Sequence, residues 1–594
     1  MKLDVALGIL AVLAGRQALA QTTTRASLGA GGVEGNAESR NGTSSDDGRF
    51  VAYWSYASNL VPGDTNGASD IFVRDRVRGT TERISVSTGG DPGDAQSTSP
   101  WMTPDARFVV FESLASNLVP GDTNGRQDLF LRDRANGTTR RLDVAGPGAQ
   151  ANHNSALASL SADGRYVAFL SFATNLVPGG TSGSSDVYLH DREAGTTVRA
   201  SVSTAGATAN ELSWSPSISA DGRCVVYHSP ASNLVPGDTN ANWDVFVRDR
   251  VLGTTERASL GSGGVQAIGS STDPSISADG RFVAFFSTAA NLGGGGPAGV
   301  HQVYLRDRVL GVTELVSRST SGAPGDGNSH DPRISADGRS VAFHSLASNL
   351  APDDGNATWD VFVRDRVAGT TTLVSAATGG VQGSDFSLRP AISAGGRFVA
   401  FYSPAPDLVG GDENGVSDVF VFDRSTTGFP SLCEPGREGV RSCPCSNPAS
   451  GAGHGCDNSA ATGGASLAAS GEARLSSDTV VFTSSGETPT ALTLLLQGDA
   501  YLLDGTSFGR GVRCAGGSLK RLFARTAAAG NVVVPDFGSG DPSVSARSAA
   551  RGDAIQPGQS RWYLAYYRDA GLQPACSGYA AFNTTPSRQA TWAP

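Results

Sequence analysis

Lysine is nearly missing from this chain: it occurs only at Lys2 and Lys520, and arginine carries the remaining positive charge. Acidic residues outnumber basic ones, 56 to 46, for a net charge of −10. Such a surface repels a phosphate backbone, which excludes nucleic acid as a partner. The lysine shortage itself reads as codon bias. Long apolar runs are also lacking. Past the N-terminus no stretch reaches the ~18 apolar residues of a membrane-spanning helix, so no transmembrane segment is expected. Helical periodicity is scarce after residue 20. There is no Gly-x-Ser-x-Gly elbow, no His-Glu-x-x-His and no phosphate loop.

What the chain has in excess is turn chemistry: 76 Gly and 29 Pro, with long Ser, Thr, Asn and Asp runs. That is all-β composition. A unit beginning Asp-Gly-Arg-Phe-Val-Ala-Tyr at Asp47 and ending Asp-Ile-Phe-Val-Arg-Asp-Arg at Arg76 recurs throughout the first two thirds. Its first arginine falls at Arg49, Arg107, Arg165, Arg223, Arg281, Arg339 and Arg397, each 58 residues after the last. The aspartate of Arg-Asp-Arg keeps the same beat from Asp75 to Asp423. A fixed period this long marks a propeller or solenoid.

Each unit parses into four strands. Asp-Gly between two apolar runs is a hairpin signal. The second strand, Phe50 to Ser55, alternates, and its Tyr53 position is aromatic in every copy, which marks it as core. The third strand starts at Asp70 and the fourth at Thr80. Seven such units predict a seven-bladed β-propeller. The seventh lacks its fourth strand, because the chain turns to Gly428-Phe429-Pro430 after Arg424. Thr22-Thr23-Thr24-Arg25-Ala26-Ser27-Leu28 stands in phase with Thr254 to Leu260 and is predicted to supply it, closing the ring.

Ser-Ala-Asp-Gly-Arg-x-Val-Ala-Phe followed by Asp-Val-Phe-Val-Arg-Asp-Arg resembles the TolB-type, WD-like propeller repeat of exported bacterial proteins, over residues 22–424. The resemblance implies the fold. TolB itself joins a smaller propeller to an N-terminal α/β domain that has no room before Thr22, so its envelope role is not implied.

Repetition separates scaffold from site. The arginines and aspartates present in all seven units are expected to be structural, paired by charge-assisted hydrogen bonds. The residue after the core aromatic varies, and Glu112, His228 and His344 stand there as ligand candidates. They either converge near the axis or line contacts between blades. A second candidate is the loop trio Asp64, Asn66 and Asp70. It recurs as Asp122/Asn124/Asp128, Asp238/Asn240/Asp244, Asp354/Asn356/Asp360 and Asp412/Asn414/Asp418, and decays in the third and fifth units. Oxygens at this spacing suit calcium. They equally suit Asx-turns shaping a loop without metal. Both readings are open.

Residues 1–20 have the pattern of a signal peptide: the apolar run Val5 to Gly15, then Ala18-Leu19-Ala20 before Gln21. Export to the periplasm, cell surface or medium is the expectation. The propeller is assigned to 21–427, a Cys-rich linker to 428–460 and a β-sandwich-like domain to 461–594. Cys433, Cys443, Cys445, Cys456, Cys514 and Cys576 read as three disulfides of an exported chain. The alternative is a metal knot of Cys443, Cys445, Cys456 and His454. Cys224, within a blade, reads as a buried thiol. The Cys-Pro-Cys-Ser-Asn-Pro stretch and the later Phe-Gly-Arg-Gly-Val-Arg-Cys resemble a C-terminal module of secreted proteins from planctomycete-like bacteria. The function expected is non-catalytic binding of a protein or glycan by a monomer, with a carbohydrate-active enzyme as the alternative.

Overall fold

The computed structural model describes residues 21–424 apart from 147–148, 180–183, 298, 353 and 379. Beyond 424 it describes 431–432, 456, 465–470, 473, 478–508, 511–556, 559–568, 582–585 and 587–591. Thr22–Arg424 is one compact unit and the residues from Ser425 belong to a second. The predicted signal peptide, Cys433, Cys443, Cys445, His454 and Cys576 lie outside the described residues.

The first unit contains seven four-stranded antiparallel sheets. In the first, Ser39–Ser44, Phe50–Ser55, Asp70–Asp75 and Thr80–Arg83 pair in chain order. The next five sheets repeat that order. The seventh takes its outer strand from the other end of the unit. Thr22–Arg25 lies antiparallel to Asp418–Asp423, with Thr22 opposite Asp423 and Arg25 opposite Phe420. The N-terminal strand therefore supplies the fourth strand that the seventh repeat lacks. Seven such sheets, packed one on the next with their first strands around a common cavity, form a β-propeller.

The aromatic alternation explains the core. Tyr53 and Phe72 are fully buried and pack across adjacent strands at 6.0 Å between ring centroids, and the other six sheets repeat the pair. Each such pair contributes about 0.5–1.5 kcal/mol beyond its area. The scaffold arginines behave as expected. Arg49 grips Asp75 with its Nε and Nη2, the latter at 2.8 Å, and the same pair occurs in all seven sheets. Asp75 also accepts from the backbone N–H groups of Val77 and Arg78, which fixes the hairpin that follows.

Adjacent sheets meet through the Asp-Gly-Arg glycine. A Cβ on Gly164 would come within 2.3 Å of the Phe108 ring, and one on Gly222 within 2.2 Å of Tyr166. Both glycines have positive φ, 68° and 69°. Over the same rings lies the arginine that follows the scaffold aspartate of a neighbouring sheet: Arg192 at 4.3 Å from the Phe108 centroid and Arg250 at 4.0 Å from Tyr166. In the fourth sheet Cys224 takes the aromatic's place. It is a buried free thiol, as expected, with Arg308 3.7 Å from its sulfur.

In the second unit Ser466–Ser470, Val481–Ser485 and Val532–Val534 form one sheet. Leu492–Gly498 and Ser560–Arg568 centre a larger one. Phe482 and Val534 of the first sheet share a core with Leu495, Phe523 and Tyr563 of the second. These strands fall within 461–594, the range assigned to a β-sandwich-like domain. A short helix, Val544–Ala550, was not predicted; its end signals are a Ser543 N-cap and Gly552 at φ 78°. Cys514 stands in the strand Gly511–Gly516, and Cys456 is buried. Among the described residues no helix is long and apolar enough to cross a membrane.

Deleting Thr22–Ser27 removes the outer strand of the seventh sheet and the buried Arg25 with it. The expected outcome is a lowered, single cooperative melt for the whole unit. Calorimetry showing an unchanged melting temperature would refute this role for the strand.

Candidate central channel

The first strand of every sheet carries a bulge. In the first sheet Arg40 faces Trp54 and Thr43 faces Ala52, so Asn41 and Gly42 together oppose Tyr53 alone. The same register shift recurs in the other six. A bulge re-aims side chains and bends its strand. Here it places one non-glycine residue per sheet at positive φ, between 47° and 54°: Asn41, Ser99, Leu157, Ser215, Asp273, Asp331 and Arg389. All seven line a single cavity of about 170 Å³ among the first strands. Backbone strain of this kind costs about 1–3 kcal/mol per residue and concentrates at functional sites.

The sequence candidates stand behind this ring, outside the cavity lining, and do not meet. Glu112 is buried. One carboxylate oxygen accepts from the backbone N–H of Leu157 at 2.8 Å, the other from Gln127 Nε2 at 2.8 Å. Burial pushes its acid up to about 7, against those hydrogen bonds. His228 Nδ1 accepts from the backbone N–H of Asp273 at 3.1 Å. His344 lies 3.7 Å from an Asp331 oxygen. Burial lowers both imidazoles to about 4, so both are neutral at pH 7. Each of the three therefore borders the contact between its sheet and a neighbour, and Glu112 and His228 pin the next sheet's bulge residue by its N–H.

Around these residues runs an aromatic and histidine collar that sequence reading missed. His330 Nε2 is 2.7 Å from His301 Nδ1, and the ring stacks on Phe286 at 4.6 Å. Trp359 lies 5.2 Å from His330 and 5.0 Å from His344. Trp243 packs edge-on to His228 at 5.1 Å. The bulge residues were missed as well. Their signal was a position that varies freely at the fixed phase of 58, followed by proline at Pro100, Pro216, Pro274, Pro332 and Pro390.

The Asp/Asn loops are crosslinked from within. Arg83, from the fourth strand, lies 3.3 Å from Asp64 and 3.7 Å from Asp70. Arg141 joins Asp122 to Asp128, Arg257 joins Asp238 to Asp244, and Arg25 joins Asp412 to Asp418. Asn66 turns its amide nitrogen to Asp70 at 3.0 Å, while its oxygen accepts from the N–H of Ala68 in an Asx-turn. Asn124, Asn240 and Asn414 do the same. Asn356 keeps the turn through the N–H of Thr358. In the fifth repeat Leu315 and Gln302 replace arginine and aspartate together. The sixth has Leu373 for arginine yet keeps Asp354 and Asp360, and Gln382 Nε2 donates to both at 2.8 and 2.7 Å. Among the described residues no group of three or more His, Cys, Asp or Glu is arranged to hold a metal.

No protein-family model matches the sequence, and no curated protein matches it. Among solved structures the chain is similar to TolB from Acinetobacter baumannii, at 15% identity and TM-score 0.32, over 55% of this chain and 63% of that TolB. It is similar to the β-propeller domain of the trilobed protease from Pyrococcus furiosus, at 11% identity and TM-score 0.40, over 66% of this chain and 96% of that one. Hydrazine synthase of Kuenenia stuttgartiensis gives 14% identity and TM-score 0.34, over 64% and 94%. These are likenesses of fold, and no residue's role is transferred from them. The resemblance expected for the C-terminal module finds no support among them.

Two outcomes follow from this geometry. Replacing Leu373 by arginine restores the clamp of the other repeats and is expected to stabilise the fold by about 1 kcal/mol at pH 7.5. Burial holds the Asp360 acid at about 6 in the fold against 3.8 ordinarily. The folded state thus takes up a proton first, and the stability this contributes in acid is lost as pH rises from about 4 through about 6. The gain from arginine is therefore larger at pH 7.5 than at pH 4.5; denaturant melts showing the reverse order would count against the clamp. For the bulges, Asn41→Leu is expected to cost about 1 kcal/mol, because asparagine tolerates positive φ better. Leu157→Asn should cost nothing or stabilise, and the same melts compare the two.

Proposed function

We propose that this chain is an exported, non-catalytic binding protein whose seven sheets make a closed seven-bladed propeller, and that the central channel takes the ligand, a protein segment or a glycan. The observation that carries this reading is the ring of seven strained residues. Each repeat holds a non-glycine side chain at positive φ on the same cavity, and the seven positions carry five residue types, with only Asp273 and Asp331 alike in neighbouring repeats. A purely structural bulge has no need of that variety, since scaffold positions such as Arg49 and Asp75 are identical in all seven repeats. The collar of half-buried Trp243, Phe286, His301, His330 and Trp359 adds flat, apolar faces of the kind that sugars and aromatic side chains stack on.

Ring closure is supported by the pairing of Thr22–Arg25 and by a core shared between the first and last sheets, in which Val51 and Tyr53 pack with Phe398 and Val419. Export is supported by the N-terminal pattern and by the burial of Cys456, one of the six cysteines read as disulfide partners. The proposal gives the Asp/Asn loops a structural part, consistent with their arginine clamps.

Glycan and peptide panels, with binding and turnover read together, test this. The variant Ser217→Trp places a tryptophan where the second repeat already carries Trp101, and so narrows the channel on a backbone known to accept it. A ligand that loses at least tenfold in affinity in that variant supports the channel. A ligand indifferent to it, or a glycan that is cleaved, overturns the proposal.

A further inference from the structure

The channel wall is uneven. The first four repeats contribute neutral groups, mostly hydroxyls and prolines, with Leu157 and the Trp101 ring. All of its charge comes from the last three: Asp273, Asp331, Arg333 and Arg389. Three of these four are committed to one another or to neighbours. Asp273 accepts from Ser215 Oγ at 2.9 Å. Asp331 sits between Arg389 Nε at 3.5 Å and His344 Nδ1 at 3.7 Å. Burial would raise its acid, but His344, Arg389 and Arg333 around it hold it below the usual range.

Arg333 is the exception. Its one hydrogen bond is from Nη1 to the carbonyl of its neighbour Pro332, at 3.1 Å, and among the described residues no carboxylate lies within ion-pair distance of it. The same position holds Thr43, Trp101, Ser159, Ser217, Ser275 and Ala391 in the other repeats, so the fold has no use for a cation there. A guanidinium presents five donors in a planar fork that matches a carboxylate in a bidentate pair. Held in a narrow cavity, such a fork is worth more than on an open surface.

Resting on the reading that the ligand enters this channel, we propose that the ligand is an acidic glycan, and that Arg333 takes the carboxylate of a uronic acid unit. The volume, about 170 Å³, suits one sugar ring and is too small for a folded peptide segment. The rest of the wall has the groups a sugar ring needs: serine hydroxyls, the Asn41 amide and the Asp273 carboxylate for its hydroxyls, and Trp101 as an aromatic face. Asp331 pairs with Arg389 at 3.5 Å and feels Arg333 only at longer range, which leaves the Arg333 fork open to a ligand's carboxylate.

Calorimetric titration tests this with trigalacturonate and triglucuronate against their neutral trisaccharide counterparts of the same linkage. The acidic sugars are expected to bind at least tenfold more tightly. Arg333→Gln should abolish that preference while leaving a weak affinity common to both, and Arg333→Lys should keep part of it. Arg333 makes no close ion pair, but its charge helps to hold the buried Asp331 carboxylate, so Arg333→Gln should melt slightly below the parent and Arg333→Lys with it. Arg389→Gln, which frees Asp331, should weaken acidic sugars further and serves as the second probe. Equal binding of acidic and neutral sugars, a preference that survives Arg333→Gln, or no binding of either uronate would overturn the inference. A peptide or neutral glycan that binds in a manner sensitive to Ser217→Trp would then leave the channel reading standing. Insensitivity of every ligand to that variant would remove both.

Discussion

The contact on which this propeller depends is a glycine pressed against an aromatic ring under an arginine. Gly164 lies on Phe108 and Gly222 on Tyr166 so closely that neither could carry a Cβ, and an arginine covers each ring. The glycine must also hold positive φ to turn the hairpin, so one residue type meets two demands. In the second repeat Ala106 makes the turn at φ 57°, strained but tolerated. The turn and its arginine recur at a step of 58 residues, with a ring beneath them in five sheets and Cys224 or Ser340 in its place in the other two. The sheet-to-sheet distance follows from this contact at one edge of the unit. A flexible lysine over the ring would not stack as the planar guanidinium does, which gives the arginine bias at these positions a physical use even if its origin lies elsewhere.

That division of labour frees the opposite end of each first strand. The Arg49–Asp75 type of pair and the Tyr53–Phe72 type of pair settle the sheet, and the glycine contact settles its neighbour. What remains is the bulge. Seven residues at positive φ cost about 1–3 kcal/mol each, comparable in sum with the whole stability of an ordinary domain. Such strain persists only where the surroundings over-determine it, and here Glu112 and His228 hold the N–H of the next bulge directly. Their burial as a neutral imidazole and a carboxyl raised towards neutrality is the electrostatic cost of that support.

The architecture was legible in the sequence because it is periodic. The beat of 58, the Asp-Gly hairpins, the aromatic alternation and the orphan strand from Thr22 each appear in the structure where their pattern placed them. The channel was less legible, for a physical reason. A bulge residue is defined by φ and by register, neither of which leaves a preferred residue type when the position also varies in function. Asn41 and Asp273 would be read as turn formers, Leu157 and Arg389 as nothing in particular. Glu112, His228 and His344 were found through their variability. Their side chains point into the contact between sheets, one strand removed from the axis, and a period of two in a strand does not say which face meets a neighbouring sheet.

The loop trios show why a motif of oxygens cannot be read without the fourth strand. Asp64, Asn66 and Asp70 suggest a cation, and a cation is there, as Arg83 of a strand that begins ten residues later. The fifth repeat loses arginine and aspartates together, which keeps the local charge balanced. The sixth loses only the arginine. Its Asp354 and Asp360 are left to share the Gln382 amide, and burial with the neighbouring Asp354 charge pushes the Asp360 acid up to about 6. Variation within one chain thus marks the clamp as an electrostatic unit: the fifth repeat drops both charges, and the sixth, which drops only the cation, supplies the Gln382 amide in its place. A buried carboxylate without its partner is costly, and burial raises these acids even beside an arginine, as at Asp412. The sixth repeat meets the cost with the Gln382 amide and a proton, and the others add a cation.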